Sequence, residues 1–413
     1  MNGKGLLTAL AAGMAWCAGA AAPPVESLER TVDGAFAHRW RLCYSPKTSL
    51  LYGCAVEKVK KAALFKDGIF DWYKGIPGGY GEGMGDCALI DGVALSGCVD
   101  RWEALSRLGR GPDDPEMLKT AEWAAGLAQG LLNLTSRHRF KGFVARGLCE
   151  EDGTSICSLS SIDQHTHWAH GLWRYFRSPM ARAEIVREMK VRFAEVAGRM
   201  ERTVIPENDY NFGLCDGRPD PRGICRMWWG KPSTGAGRLA SIYAAAYDVT
   251  KDPHWKESYE KHADFACSGA ARLEDEKAAD PKWRWVTPAY TLLQNASAWE
   301  VLLGCEQDPN RREPVLAGLS MGAKEADFRA RDMWKNPKRK WYGMCTDGEL
   351  ALAQLMAPRW AYDATECAIL DKAIRRYDLR SWDTCRAAHL FAAYWRAAVR
   401  GILKPGSYGC GRK

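Results

Sequence analysis

The sequence predicts an all-α protein assembled from helical hairpins. Apolar residues recur at three- and four-residue spacing through most of the chain after residue 83, which is the pattern of amphipathic helices. Strand-like alternation is rare and short, as in "GFVAR" at residues 142–146. A repeated Asp-Pro or Ser-Pro junction separates helical stretches. These features favour helices packed on helices over a fold with a sizeable sheet.

The predicted helices follow one another along the chain. The first two are "MGDCALIDGVALSGCVDRWEALSRLG" at 84–109 and "PEMLKTAEWAAGLAQGLLNLT" at 115–135. Further helical stretches cover 160–175, 179–200, 237–249, 253–267, 288–305, 350–357 and 384–403. The helix before each capped junction is richer in small and aromatic residues and the one after it is more charged, which suggests inner and outer layers of helices. Such stretches bury one face against neighbouring helices.

Four junctions mark where one helix ends and the next begins. An aspartate or serine caps the unpaired N–H groups of a new helix, and proline suits its first position. The junctions are Asp114-Pro115, Ser178-Pro179, Asp252-Pro253 and Asp308-Pro309. Their irregular spacing favours hairpins joined by loops of varied length over a regular solenoid.

The first 22 residues read as a signal peptide and not as part of the fold. Lys4 gives a basic start, "LLTALAAGMAW" an apolar middle, and "AGAAAPP" a cleavage zone of small residues. We therefore predict a secreted or periplasmic protein. A lipoprotein anchored through Cys17 is the alternative, although the bulky Trp16 before it fits poorly.

Cysteine usage is consistent with export. Cleavage near Ala22 leaves 14 of the 15 cysteines, an even number, and no C-x-x-C pair is present. Many of the cysteines fall in local doublets, for which an oxidising compartment favours short-loop disulfides. These doublets are Cys43/Cys54, Cys87/Cys98, Cys149/Cys157 and Cys215/Cys225. If Cys87 and Cys98 lie about three turns apart on one helix, they are too far apart to bridge and need other partners.

Charge and aromatic content indicate the kind of partner. The chain carries a net charge of +8 with 18 tryptophans and 15 tyrosines, which suits an acidic oligo- or polysaccharide with apolar sugar faces. Nucleic acid is disfavoured because basic and acidic residues are interspersed and export is predicted. After residue 30 no apolar run is long enough to span a membrane. No cofactor is predicted, since nucleotide-binding loops and H-E-x-x-H are lacking in the sequence.

An array of hairpins must shelter its first and last inner faces, and closing into a ring does so without special caps. The chain from about residue 70 to 400 resembles the six-hairpin glycosidase superfamily, which includes unsaturated glucuronyl hydrolases and related polysaccharide lyases. The resemblance rests on layout: "GMGDCALIDGVALSG", "SSIDQHTHWAHGLWRY", "RMWWGKPSTGAGRLASIYAAA" and the junctions. It implies an (α/α)6 toroid over residues 71–413, preceded by an N-terminal extension at residues 23–70.

The stretch at 160–175 concentrates titratable and aromatic residues on one predicted helix. Ser161 and Gln164 form a capping box that starts the helix near Ile162. Asp163, His167 and His170 then share a face by helical spacing, together with Thr166, while His165 projects elsewhere. Three interpretations remain open for this face: a dipole-stabilised carboxylate with core histidines, a catalytic carboxylate with His167 nearby, or a metal site.

Glycoside hydrolysis needs two carboxylates. The resemblance implies that aspartates on successive inner helices do this chemistry, with Asp163 as the acid and Asp86 as its partner. Asp91, deeper in the same helix, is a weaker alternative to Asp86. Glu82 is a rival whose glycine-rich surroundings also suit a tight turn.

Other polar and aromatic residues extend the predicted site. The loop-like "PENDYNFG" at 206–213 suits a lyase, in which His167 and Tyr210 move protons and Asn208 or Arg226 neutralises a uronate carboxylate. Tryptophan and tyrosine faces suit sugar rings. The residues predicted to bind substrate are Gln164, His170, Asn208, Asp209, Arg226, Trp228, Trp229, Trp341 and Tyr342.

The sequence thus favours an exported enzyme that hydrolyses glycosidic bonds in an acidic glycan through a pair of carboxylates. A polysaccharide lyase acting by β-elimination is the first alternative. A non-catalytic glycan-binding toroid is the second.

Overall fold

The computed structural model describes residues 27–59, 65–70, 83–220, 223–227, 232–336, 346–376 and 383–406. These residues are mainly helical, so the all-α class is confirmed. The predicted signal peptide at residues 1–22 lies outside them. The domain boundary near residue 70 remains a prediction.

The helices follow in chain order, and the described strands are two residues long. The first helices are α1 Leu28–Cys43, α2 Cys87–Arg107, α3 Pro115–Ser136, α4 Ile162–Phe176, α5 Ala183–Thr203, α6 Pro232–Thr250 and α7 Pro253–Ala270. The later ones are α8 Leu273–Ala279, α9 Trp283–Val286, α10 Ala289–Cys305, α11 Pro309–Lys335, α12 Thr346–Leu355, α13 Ala364–Arg375 and α14 Thr384–Val399. Strand β1 Tyr44–Ser45 pairs antiparallel with β2 Leu50–Leu51, and β3 Ile69–Phe70 pairs parallel with β4 Ile156–Cys157.

Three of the four predicted junctions are confirmed. Asp114, Asp252 and Asp308 each accept a hydrogen bond from the backbone N–H two residues later, and proline occupies the first turn. The Ser178 junction is wrong, because α5 begins only at Ala183. The Tyr175 hydroxyl donates to the carbonyl of Met180 and accepts from the N–H of Arg182, which holds residues 178–182 in a turn.

The central helices, which we define as α2, α4, α6, α10, α12 and α14, contact one another in a fixed order. Helix α2 packs against α4, α4 against α6, α6 against α10, α10 against α12, α12 against α14, and α14 against α2. Helix α10 also packs against α4. The peripheral helices α1, α3, α5, α7, α11 and α13 pack against these. The buried apolar residues of both sets form one core.

Two central helices approach unusually closely at glycine. A Cβ atom added at Gly92 on α2 would lie 2.2 Å from the backbone carbonyl oxygen of His167 on α4. A Cβ atom added at Gly171 on α4 would lie 2.7 Å from the carbonyl oxygen of Gly92. Only glycine allows this contact, which fixes the spacing of the two helices that carry Asp86 and Asp163.

Helix α1 is an integral part of the packing, although sequence analysis placed it in an extension. It packs against α14 and α13. Its Asp33 binds the buried guanidinium of Arg101 on α2 at 2.7 Å and accepts a hydrogen bond from the indole N–H of Trp395 on α14. The ion pair and the indole bond tie the start of the chain to two central helices.

The predicted short-range disulfides are not formed. Each of the four doublets contains at least one free thiol, and these are Cys43, Cys87, Cys98, Cys149, Cys157, Cys215 and Cys225. Cys87 and Cys98 both lie on α2, where their separation prevents a bridge, as expected. Cys367 and Cys385, outside the doublets, each take part in a disulfide bond. Spacing along the chain therefore did not identify the pairs.

Across the described ranges, no helix is both long enough and apolar enough to cross a lipid bilayer.

Candidate functional site

The starts of several central helices meet at one end of the molecule. Asp86, just before α2, contacts Gln164 in the first turn of α4, whereas Asp100, farther along α2, contacts Arg174 near the end of α4. Like ends therefore meet, and α2 and α4 run in the same direction. Arg396, near the end of α14, also binds Asp100. The site lies at the shared helix starts.

Helix α4 begins at Ile162, as predicted, but the predicted capping box is wrong. Ser161 occupies the cap position without a side-chain bond, and its buried hydroxyl has no partner. Gln164 points to α2 instead: its Nε2 donates to Oδ1 of Asp86 at 2.8 Å, and its Oε1 accepts from the backbone N–H of Leu89 at 3.2 Å. Gln164 bonds to Asp86 and α2 and not to the backbone N–H of Ser161, as a capping box would require.

Gln164, which was predicted to bind substrate, is engaged within the protein. Its side chain is fully buried, so it has no surface to offer a ligand. Both ends of its amide are bonded, one to Asp86 and one to the first turn of α2. This arrangement fixes the orientation of the Asp86 carboxylate.

Asp86 is held by two donors. Arg146 places Nη2 3.0 Å from Oδ1 and gives its Nε to the carbonyl of Gly85, while Gln164 donates to the same carboxylate oxygen. The side chain is almost wholly buried, at 9% exposure. Charge-assisted hydrogen bonds of this kind stabilise the ionised carboxylate.

Asp163 is more open and less firmly paired. Its side chain is 25% exposed, and within the described residues it forms one ion pair, from Oδ1 to Nη1 of Arg238 on α6 at 3.2 Å. Burial raises the pKa of Asp163, the cations Arg238 and Arg146 oppose this rise, and the charge of Asp86 adds to it. The two carboxyl groups are thus close enough to influence each other, and their environments differ.

Arg238 is itself braced by α10. Its Nε and Nη2 both lie within hydrogen-bonding distance of Oδ1 of Asn295, at 3.4 and 3.2 Å. Asn295 in turn donates to the carbonyl of Ser233 at the start of α6. This chain of contacts holds the guanidinium against Asp163.

The histidines of α4 lie in the interior with different partners. His167 is 1% exposed and its Nδ1 has no hydrogen-bond partner, and burial lowers its pKa well below the usual value, so its imidazole is neutral. Nε2 of His170 lies 2.6 Å from Glu300 on α10. His165 projects elsewhere, as predicted, with its ring 4.4 Å from that of Phe212.

His170, also predicted to bind substrate, lies away from the helix starts. It is 2% exposed and belongs to an ion network at the opposite end of the central helices. There Asp100 binds Arg174 at 2.8 Å and Arg396 at 2.9 Å, and Glu300 binds Arg396 at 2.7 Å. We call Asp100, His170, Arg174, Glu300 and Arg396 the distal ion network. It joins α2, α4, α10 and α14.

Asp91, the weaker alternative to Asp86, faces away from Asp163. Its carboxylate accepts the backbone N–H of Leu51 in β2 at 3.2 Å, and burial raises its pKa well above the usual value. It connects α2 to the N-terminal part of the chain. Glu82, the other rival, lies outside the described residues.

The segment at 205–227 packs against the start of α4. Cys215 donates its backbone N–H to Ser158, and the thiol of Cys225 lies 3.6 Å from the carbonyl of Ser160. Its tip is a 3₁₀ turn at Pro206–Asn208 followed by Asp209 and Tyr210, both with positive φ, at 51° and 55°. Such strain in non-glycine residues is retained only where the surrounding structure enforces it.

The predicted ligands of this segment face different surroundings. Asn208 and Asp209 are exposed, Asn208 bonds to the carbonyl of Thr203, and Asp209 pairs with Arg226. Tyr210 is half-buried against the core. Asn208, Asp209 and Arg226 are therefore engaged with one another or with backbone at the outer edge of the segment. The structure does not place them at Asp163.

Four predicted aromatic ligands, Trp228, Trp229, Trp341 and Tyr342, lie outside the described residues. Their roles remain predictions.

The metal alternative for α4 does not match the geometry. Asp163 is paired with Arg238 and His170 with Glu300, so the two side chains are directed to different helices. Within the described ranges no group of three or more His, Cys, Asp or Glu is arranged to hold a metal ion.

Sequence analysis missed Arg146, Arg238 and Asn295. A lone cation in an otherwise apolar stretch was the available signal, as in "GFVARG" and "GRLASIYAAA". A buried arginine needs an anion, so each of these positions predicts a carboxylate partner. Which carboxylate it pairs with depends on tertiary packing.

Comparison with known proteins adds no assignment: no family model, curated protein or solved structure matches the chain. The site therefore has to be interpreted from its own chemistry.

Proposed function

We propose that the protein is an (α/α)6 toroid that hydrolyses glycosidic bonds in an acidic glycan, with Asp163 as general acid and Asp86 as the second carboxylate. The observation that carries this proposal is the unequal pairing of two neighbouring carboxylates at the shared starts of α2 and α4. The resemblance to six-hairpin glycosidases is consistent with it.

The helix contacts support a closed ring. The central helices contact each other in the order α2, α4, α6, α10, α12, α14 and back to α2. Among the peripheral helices, α3 contacts α5, α7 contacts α11, α11 contacts α13, and α13 contacts α1. A ring of six hairpins requires contacts of both kinds. In such a ring the helix starts surround one depression, which is where Asp86 and Asp163 would meet a ligand.

Asp163 suits the acid role. Burial raises its pKa, so it retains a proton at higher pH than an ordinary aspartate. Its exposed quarter gives the proton a route to the glycosidic oxygen of a bound sugar. Arg238 limits the rise in pKa and fixes the orientation of the carboxyl group.

Asp86 suits the partner role. Arg146 and Gln164 both bind Oδ1, which stabilises the carboxylate and leaves Oδ2 to act on a water molecule or on the anomeric carbon. An inverting enzyme would use it as a base, and a retaining enzyme as a nucleophile. The anomeric configuration of the first product distinguishes these two.

The lyase alternative rests on His167. Its neutral imidazole, with Nδ1 unpartnered, is in the form required of a base that removes a proton beside a uronate carboxylate. It is only 1% exposed, and Tyr210 and Arg226 belong to a separate segment, so this alternative is the weaker one.

Product analysis tests the proposal. The full-length protein is incubated with a panel of uronate- and sulfate-bearing oligosaccharides, and the products are followed by reducing-end assay and by absorbance near 235 nm. New reducing ends without the absorbance of an unsaturated uronate support hydrolysis. If absorbance near 235 nm instead increases with cleavage, the reaction is β-elimination and the proposed hydrolysis is wrong. If several glycans bind and none is cleaved, both enzymatic hypotheses are wrong and a glycan-binding role is favoured.

A further inference from the structure

A cavity lies between α11, α12 and α13, away from Asp86 and Asp163. Its volume is about 170 Å³, and it opens to solvent. Its walls are mainly apolar, formed by alanine, leucine, isoleucine and methionine side chains of the three helices. None of the residues assigned above to the candidate site lines it.

The cavity contains a buried polar atom that lacks a partner. Gln354 on α12 lines the cavity and is 2% exposed, and its Oε1 has no hydrogen-bond partner. An unsatisfied buried acceptor is unfavourable, so such atoms are usually matched by a ligand or water. The side-chain oxygen Oε1 of Gln354 could therefore accept a hydrogen bond from a ligand bound in this mainly apolar cavity.

The edge of the cavity is aromatic and basic. Trp334 on α11 is 39% exposed, and the ammonium group of Lys372 on α13 lies 4.1 Å from its ring centroid. Arg376 follows Lys372 by one helical turn and also lines the cavity. Asp347 is the acidic group of the α12 wall, and the charge of Arg376 acts on it. Glu366 is already bonded to the indole of Trp360 and the backbone of Asp363.

We propose that this cavity binds a small amphipathic anion: a planar apolar body with a hydroxyl at one end and a carboxylate or sulfonate at the other. The hydroxyl donates to Oε1 of Gln354. The apolar body fills the space between the three helices and stacks near Trp334. The anionic group pairs with Lys372 at the mouth. A ligand in this cavity would contact α12, which is one of the central helices that also carry the candidate site.

Two naphthalene probes test the site. These are 2-naphthalenesulfonate and 6-hydroxy-2-naphthalenesulfonate, which differ only in the hydroxyl opposite the sulfonate. Both are titrated against the full-length protein by calorimetry. We expect one saturable site and tighter binding of the hydroxyl compound by about fivefold to tenfold, as one added hydrogen bond allows.

Three variants separate the contacts. Gln354→Leu is expected to abolish the advantage of the hydroxyl compound, and Lys372→Glu to weaken both probes by about tenfold or more through charge reversal. Lys324→Glu makes the same charge change at an exposed position of α11 outside the cavity, and binding should stay as in the native protein. Thermal unfolding midpoints check that each variant is folded.

The proposal is overturned if neither probe binds, if binding does not saturate at one equivalent, or if Lys372→Glu binds as well as Lys324→Glu does. Equal affinity of the two probes for the native protein would remove the role of Gln354. These outcomes do not depend on glycan cleavage, so the cavity and the proposed hydrolase are tested separately.

Discussion

The two ends of the central helices contain the same kinds of charged groups in different arrangements. At the helix starts, two aspartates face two arginines, and each aspartate has one arginine partner. In the distal ion network, Asp100 and Glu300 each contact both Arg174 and Arg396. Shared partners make a closed network that stabilises the interior, whereas single partners leave carboxylate oxygens available for a ligand.

The difference extends to exposure. Asp100 is 1% exposed, so no ligand reaches it, whereas a quarter of the Asp163 side chain is exposed. Burial alone would lower the pKa of Arg174, yet Asp100 and Glu300 raise it above the usual value, which keeps the network charged. The distal end therefore holds the helices together, and the helix starts are where chemistry is possible.

Asp163→Asn should have the largest effect. Loss of the acid is expected to lower kcat/KM by about 10³-fold, in the range for removal of a general acid. The unfolding midpoint should also fall, because Arg238, which is 5% exposed, loses its carboxylate partner. Glycan cleavage and thermal unfolding are measured on the same preparation. Retained turnover in a folded variant would contradict the assignment of Asp163.

Arg174→Met, in the distal ion network, should mainly lower the free energy of unfolding. Removing one partner of a buried ion pair typically costs about 3–5 kcal/mol, because the remaining carboxylates lose a counter-ion. Arg177→Met, at the residue that caps the end of α4, removes a 2.6 Å pair with Asp248 in which the arginine is 42% exposed, and should cost less than about 1 kcal/mol. Urea unfolding of both variants checks this. Equal losses would show that the network has no special role in stability.

Acid sensitivity should be traceable to buried histidines near the helix starts. Burial lowers the pKa of His165 and of His389 from 6.5 to about 4, so the folded state binds fewer protons than the unfolded chain between these values. Their contribution to stability is complete above pH 6.5 and is lost as pH falls toward 4, by up to about 3 kcal/mol per histidine.

His389→Leu tests this dependence by removing one titrating group. Its free energy of unfolding, measured in urea at several pH values between 7 and 4, should fall less on acidification than that of the native protein. An unchanged acid dependence would mean that other groups dominate.

Arg238→Met should have the smallest effect and sharpen the comparison most. Arg238 is the largest influence opposing the burial-driven rise in the pKa of Asp163. Its removal should raise that pKa further, so the alkaline limb of the pH profile of kcat/KM moves to higher pH. Arg192→Met on α5 serves as a control and should leave the limb in place. If the alkaline limb does not move, it does not report the ionisation of Asp163.

Sequence analysis predicted the helical class, most helices and the start of α4 because these depend on local periodicity and capping. Asp114, Asp252 and Asp308 are predictable caps, since the aspartate and proline act on their own turn. Ser178 failed because Tyr175 took the backbone groups of the following turn. The assignment of Asp163 and Asp86 as a catalytic pair came from the resemblance to six-hairpin glycosidases, and their roles remain predictions.

Gln164, His170 and the cysteine doublets depended on tertiary structure. Gln164 fits a capping box by sequence, yet it bonds across to Asp86 because α2 and α4 pack closely at Gly92. His170 shares a helix face with Asp163. It lies about two turns farther along the axis of α4, however, and there it contacts Glu300. The thiol doublets are near in sequence and unbonded in the fold.

The sequence by itself determined where helices begin and which faces are apolar, because those properties depend on residues within one or two turns. Tertiary structure alone decided which carboxylate meets which arginine. Each such contact joins helices separated by many residues, and pairing of buried charges depends on the packing distance that brings them together.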